Sequence, residues 1–216
     1  MFEETPVNTF TNFCNNIMNE VPPTVPKNIF KTENIGWNDE RLTRRIYTRK
    51  VGWFILTNEI KQVLVDFLKG KKVLEVGSGT GYLAYHMKEG GVEDYTAVDK
   101  RETRYWDPET TRIFEGIQGD ALEFIKPEVD VVIMAWPPYD DPFGEMVLNR
   151  MTPGQILIYQ GESYRGCCGN DEMFDEIEER FKTLQVIEDK LDDEHIRFDG
   201  YYDHWNVYQC NRYKED

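Results

Sequence analysis

Histidine and cysteine are scarce in this chain of 216 residues, with three and four respectively. The cysteines are Cys14, Cys167, Cys168 and Cys210, and none forms a C-x-x-C pair, so neither a structural zinc site nor any other metal centre is expected. Adjacent Cys167 and Cys168 read as two reduced loop thiols, with a vicinal disulfide or a soft-metal pair as the alternative. No apolar run approaches the roughly 20 residues that span a bilayer. The start, Met1-Phe2-Glu3-Glu4, is acidic where a secretory leader is basic. A cytoplasmic protein with no membrane partner is the expectation. Positive charge is also short: 25 basic side chains stand against 40 acidic ones, a net charge of −15. That balance disfavours a general nucleic-acid binder, whose affinity comes mostly from Lys and Arg on phosphates, and leaves room only for a local basic groove. Repeats and low-complexity tracts are absent.

What is present suits a folded protein. Hydrophobic residues make up 40% of the chain and aromatics 13%, and the length suits one core. Residues 1–56 read as an N-terminal helical extension or lid, set apart by Pro22, Pro23 and Pro26. Within it Phe10, Phe13, Cys14, Ile17 and Met18 share a helical face, with Asn8 or Thr9 as cap. A second cap at 38–41 precedes Leu42 and Ile46. Arg41, Arg44, Arg45, Arg49 and Lys50 form the main basic cluster. It reads as a solvated helix face, or alternatively as a contact for an anionic substrate or a nucleic acid. Trp37 and Trp53 are candidates to close over a site.

From residue 57 the pattern is regular. A helix capped by Thr57 or Asn58 carries Ile60, Val63, Leu64, Phe67 and Leu68 and stops at Gly70. Strands follow at 72–76 and 95–99, weakly at 114–118, then at 129–135 and 156–160. Helices lie between them, with Leu83, Ala84 and Met87 inward in one and Phe143, Met146 and Val147 in another. Asp141-Pro142 caps the latter, with Pro at its first helical position. Met173, Phe174, Ile177 and Phe181 mark a further helix. Two late strands, near 184–188 and 205–210, show no helix between them and read as a hairpin. Strands alternating with helices imply a parallel sheet covered on both faces, and the hairpin adds one antiparallel strand.

The chemistry concentrates at Val73-Leu74-Glu75-Val76-Gly77-Ser78-Gly79-Thr80-Gly81. A strand enters, three glycines alternate and a helix leaves. Glycine permits positive φ and close approach of a ligand to the backbone, and the helix start offers free N–H groups. The spacing is E-x-G-x-G-x-G. A dinucleotide fingerprint would need a small residue where Tyr82 stands, and no Lys-Ser/Thr follows to make a phosphate loop. Two further acids occupy strand ends: Asp99 after Ala97-Val98, and Asp120 within Gly119-Asp120-Ala121. Ligands bind along that edge in open α/β sheets. Taken alone, Asp99 also reads as a solvated strand end and Asp120 as the cap of the next helix.

These motifs, in this order over residues 57–210, resemble the class I S-adenosylmethionine-dependent methyltransferases. The resemblance implies an α/β, Rossmann-like fold with a mostly parallel seven-stranded sheet, one antiparallel strand and helices on both faces. It makes 57–216 the cofactor-binding domain and S-adenosyl-L-methionine the cofactor. Glu75, Gly77, Ser78, Gly79 and Gly81 would surround the methionine part. Asp99 would hold the ribose hydroxyls through charge-assisted hydrogen bonds. Asp120 and the Ala121 N–H would take the adenine, and Ala135 would line the pocket.

After the fourth strand comes Trp136-Pro137-Pro138-Tyr139-Asp140. It resembles the Asn/Asp-Pro-Pro-Tyr motif of amino-methylating enzymes, with Trp136 where Asn or Asp belongs. An indole N–H donates but does not accept, so the usual nitrogen-orienting contact is missing. Pro137 and Pro138 can still present carbonyls, and Tyr139 can stack or face a sulfonium. Trp-Pro-Pro-Tyr, followed by Gly161-Glu162 and then Gly166-Cys167-Cys168-Gly169, is similar to a little-characterised methyltransferase-like family. Asp140 and Glu162 are candidates for a general base or for contacts to a substrate amine, and equally for loop acids. Asn170 and Asp171 read as capping. The resulting expectation is methyl transfer to a nitrogen or oxygen of a small molecule or protein. The alternatives are a cofactor-binding scaffold subunit, a nucleic-acid amino-methyltransferase or a nicotinamide-dependent oxidoreductase. Acceptor identity and oligomeric state stay open.

Overall fold

The computed structural model describes Thr24 and residues 44–45, 47–48, 51–102, 112–198 and 200–214. The expected helix around Phe10–Met18, the cap at 38–41, and Trp37, Arg41, Leu42, Ile46, Arg49, Lys50 and Cys14 lie outside these residues.

Seven strands form one sheet: β1 (Val73–Val76), β2 (Tyr95–Asp99), β3 (Ile117–Gln118), β4 (Val131–Ala135), β5 (Ile156–Glu162), β6 (Phe181–Thr183) and β7 (Asp203–Cys210). Their order is β3-β2-β1-β4-β5-β7-β6. β1 pairs in parallel with β2 and β4, and β4 with β5, while β7 runs antiparallel to both β5 and β6. This is the mostly parallel, seven-stranded α/β sheet with one antiparallel strand that the motif order implies.

The helices are α1 (Asn58–Leu68), α2 (Tyr82–Glu89), α3 (Phe143–Arg150), α4 (Asp171–Arg180) and α5 (Gln185–Asp193), with a 3₁₀ turn at Ala121–Glu123. Strand alternation sorts the core into two layers. Val73, Ile133, Ile158 and Val207 pack with α1, α2 and Leu191 of α5. Leu74, Val76, Met134 and Leu157 pack with Val147 and Leu148 of α3 and Met173 and Ile177 of α4. Val51, Phe54, Ile55 and Leu56, at the end of the expected extension, are buried in the first layer.

The α1 start is as read: Thr57 caps it by accepting from the Ile60 N–H. Its end is followed by Gly70 at φ +75°. Three details differ from the sequence reading. Met146 is 39% exposed, and Leu148 faces inward instead. Pro142 is the cap residue of α3 rather than its first helical residue, and Asp141 Oδ1 accepts from the Phe143 N–H. The segment read as a late strand at 184–188 is the start of helix α5, while the strand itself is the shorter 181–183. Ile187 and Leu191, four apart, supply the inward stripe of α5, and Val186 is left 75% exposed.

α3 and α4 meet at a glycine. A Cβ on Gly144 would sit 2.2 Å from Met173 Sδ. Gly144→Ala should therefore cost about 1–3 kcal/mol by overpacking. Met146→Ala on the exposed side of the same helix should change stability by no more than about 0.5 kcal/mol. Urea titration of both variants checks the pair, and equal losses would contradict this packing.

Candidate active site

The carboxyl ends of β1, β2, β3 and β4 lie side by side, and each expected cofactor-site residue sits at one of them. The turn after β1 is built from left-handed glycines: Gly77, Gly79 and Gly81 have φ of +64°, +56° and +71°. Gly81 is the least replaceable, because a Cβ there would fall 1.9 Å from the Glu115 carbonyl oxygen. At Gly79 a Cβ would meet nothing within 4 Å, so the bend leaves open space beside the backbone. Gly81 caps α2 without a side chain, and the Glu75 carboxyl accepts from the Ala84 N–H in the first turn of that helix. The rim is held by Thr80, whose carbonyl accepts from the Phe114 N–H and whose hydroxyl donates to the Val51 carbonyl. Ser78 is buried, with its N–H on the Val98 carbonyl.

Asp99 reaches into this turn. Its Oδ2 accepts from the Gly79 N–H at 2.9 Å, and its Oδ1 from the Arg101 N–H at 2.6 Å. Each carboxylate oxygen keeps a lone pair for a further donor. Asp120 does two things at once. Oδ1 caps the 3₁₀ turn through the Leu122 N–H, and Oδ2 pairs with Lys100 at 3.2 Å. Despite its partial burial, these contacts hold its carboxyl below the usual range. Ala121, next in the chain, is buried, and Ala135, at the end of β4, is half-buried.

Glu75 is the one acid of the set in the core. It shares the α1/α2 face with Val73, is 3% exposed, and accepts from the Tyr95 hydroxyl at 3.0 Å. Burial pushes its carboxyl up to about 8, opposed by that hydrogen bond and aided by the nearby Asp99 charge. Glu75 is thus a neutral acid that a neighbouring cation would ionise.

The 136–140 loop turns sharply, with Trp136 at φ +48° and Asp140 at +51°. It is pinned to its surroundings. The Trp136 N–H donates to the Gln160 carbonyl, the Asp140 N–H to the Gly169 carbonyl, and the Gly169 N–H to the Pro137 carbonyl. The Pro137 carbonyl is therefore already engaged, Pro138 is half-buried, and Tyr139 is 69% exposed with Asp140 beside it. Glu162 is buried, with Oε2 on the Cys167 N–H and Oε1 on the Tyr202 N–H, which ties two loops together. Both its oxygens serve the backbone, the work of a loop acid. Asn170 caps α4, accepting from the Met173 N–H. Cys167, Cys168 and Cys210 are free thiols, and burial pushes the Cys168 thiol up to about 11. Among the described residues no cluster of His, Cys, Asp or Glu is arranged to hold a metal ion. No helix among them is long and apolar enough to cross a membrane.

Arg44 departs from the reading as a solvated basic face. It is 1% exposed, with its guanidinium 4.2 Å from the Tyr201 ring centroid and 5.3 Å from that of Trp136. Nη2 donates to the Trp53 carbonyl and to Asp203 Oδ2. Asp203 Oδ2 also accepts from Gln160 Nε2 at 2.7 Å and faces His195 Nε2 at 3.4 Å. Although burial opposes it, these partners hold the Asp203 carboxyl down at about 2. Trp53 stacks on Trp136 at 5.4 Å between ring centroids. The sequence reading missed Gln160, His195, Asp203 and Trp205. Their only signal is an unusual density of aromatics, Phe198, Tyr201, Tyr202 and Trp205, around two polar residues.

No protein-family profile matches the chain, and no curated protein does. Solved structures do. One is a tRNA methyltransferase, TrmK, of B. subtilis, at 16% identity and TM-score 0.44, covering 74% of this chain and 68% of that one. Another is MtNAS in complex with S-adenosylmethionine, at 10% identity and TM-score 0.48, covering 95% and 73%. A third is the 16S rRNA methyltransferase RsmC of T. thermophilus with AdoMet and guanosine, at 14% and 0.39, covering 71% and 42%. The strand order itself, with β7 antiparallel beside β5, gives the chain a Rossmann-like α/β fold.

The Glu75 carboxyl carries a sign that can be checked. The folded protein keeps its proton up to about pH 8, whereas an ordinary carboxyl releases it near 4.5. Raising the pH between these values therefore removes stability. Glu75→Gln, which can still accept from Tyr95, should flatten that slope and be the more stable form at the alkaline end. Calorimetric melting of both proteins across the window tests it, and parallel curves would place the Glu75 carboxyl in contact with water.

Proposed function

We propose that the chain is an S-adenosylmethionine-dependent methyltransferase. The observation that carries this reading is the meeting of Asp99 with the left-handed glycine turn, at the edge where β1 and β2 end. The residues present suit the cofactor chemically. The open side of Gly79 admits a ligand against the backbone. Asp99 offers a carboxylate for vicinal hydroxyls, and Glu75 a carboxyl that a cation would ionise.

In this reading the glycine turn and Glu75 hold the methionine part, with Ser78 closing the turn. Asp99 takes the ribose hydroxyls, Asp120 and the Ala121 N–H the adenine, and Ala135 lines the floor. S-adenosylmethionine supplies a methyl group already activated by its sulfonium. The protein's own task is then to align the acceptor with that group and keep water out, which accounts for several kcal/mol of a typical barrier. Trp136, Trp53 and Tyr139 stand as the aromatic wall at the β4 end. A base is needed only where the acceptor must lose a proton, and Asp140, exposed on the loop, is free for that. The acceptor in this proposal is a small molecule or a protein, met in the cytoplasm. Burial of Arg44 removes one member of the basic cluster that a nucleic acid would need.

One observation favours a second reading, a cofactor-binding scaffold. Trp136 offers no acceptor for an amine, and the Pro137 carbonyl is already taken by Gly169. Calorimetry and transfer assays separate the two. S-adenosylmethionine should bind and NAD should not, and Asp99→Ala should weaken binding by about 1–3 kcal/mol. A protein that ignores S-adenosylmethionine sinks both readings. Single-turnover assays with labelled cofactor against small-molecule, protein and nucleic-acid fractions then decide. Binding without transfer to any fraction leaves the scaffold.

A further inference from the structure

Besides His195 Nε2, which faces Asp203 Oδ2, seven buried polar atoms without a hydrogen-bond partner among the described residues fall together at the ends of β4, β5 and β7. They are Arg44 Nε and Nη1, Gln160 Oε1, His195 Nδ1, Asp203 Oδ1 and the indole nitrogens of Trp136 and Trp205. They are connected in space. Arg44, Gln160 and His195 all converge on Asp203 Oδ2. Trp205 is the register partner of Gln160, and Trp136 faces the Arg44 guanidinium. Arg44, Gln160, Asp203 and Trp205 are each no more than 1% exposed.

Buried polar atoms nearly always find partners, and each one left bare is destabilising. Seven in one place mark a position where something hydrogen-bonds. The character of the atoms limits what it can be. Arg44 and the two indoles donate, whereas Gln160 Oε1 and Asp203 Oδ1 accept. The Arg44 and Asp203 charges cancel, so an anion would meet Asp203 and a cation would meet Arg44, each at a cost in a buried site. An uncharged group that both accepts and donates meets neither. The flat rings of Trp136 and Tyr201 lie against the Arg44 guanidinium, and such faces suit a planar group.

The cluster also connects to the glycine turn. Arg44 binds the Trp53 carbonyl, and Thr80 of the glycine turn binds the Val51 carbonyl. The same short segment thus lines both places.

We infer that this cluster is the acceptor pocket and that it binds an uncharged, planar group of the carboxamide or ureido type. Its role as acceptor pocket rests on the methyl-transfer reading, whereas its ligand chemistry does not.

The test uses the full chain labelled with nitrogen-15, following the five tryptophan indole N–H signals. Benzamide, benzoate and benzylammonium are titrated separately at matched concentrations. Benzamide should shift the Trp136 and Trp205 signals, assigned with single Trp→Phe variants, and the two ions should not. Gln160→Met should weaken the benzamide response about tenfold, one hydrogen bond's worth. Silence with all three probes means that water alone serves these atoms, and a response to an ion alone means an ionic ligand. Either result overturns the proposal. A benzamide response in a protein that calorimetry finds blind to S-adenosylmethionine keeps the pocket and removes methyl transfer. The reverse pair of results removes the pocket and keeps methyl transfer.

Discussion

Parallel pairing is the constraint from which the candidate site follows. Because β1 pairs in the same direction with β2 and β4, each connection must cross the sheet and return. The loops that leave the strands therefore gather on one edge. Glu75, Asp99, Asp120 and the 136–140 loop are far apart in the chain, yet they meet there with no contact arranged for the purpose. The glycine turn completes the arrangement, since only residues tolerant of positive φ can reverse the chain so tightly above Asp99.

Much of this was legible in the residues. Apolar spacing located α1 and α2 because both bury a stripe of the usual width against the sheet. β4 was plain because a strand buried on both faces must be apolar throughout. α5 was not legible. Its inward apolar residues are Ile187 and Leu191 alone, and of the acids between them Glu188 accepts from the Val207 N–H while Asp189 is exposed, so the local pattern carries little helical signal. Met146 misled for a related reason: an exposed apolar residue leaves the same mark in a sequence as a buried one. At the sheet edge, order along the chain placed Asp99 and Asp120 at strand ends. It could not reveal that Asp120 divides its oxygens between a helix cap and Lys100, because that depends on side chains meeting across a turn.

Arg44 shows the limit most clearly. Among several basic residues it looked like part of a wetted surface. Its partner Asp203 lies 159 positions away, and only the antiparallel seat of β7 beside β5 brings the two together. Once they meet, the stretch before β7 acquires a purpose. Tyr201, Phe198 and His195 wrap a charge pair that would be costly to bury without them. Trp136 also suits this setting. A side chain that accepts would compete for Arg44, whereas an indole gives it a flat face.

The two outermost strands of the sheet have a consequence for the protein in crowded solution. β3 is two residues long and β6 three, with Lys182 exposed at the middle of β6. Each margin thus presents few bare peptide groups and, on one side, a charge. A neighbouring molecule finds too little template to extend the sheet, and the chain is guarded against edge-to-edge aggregation.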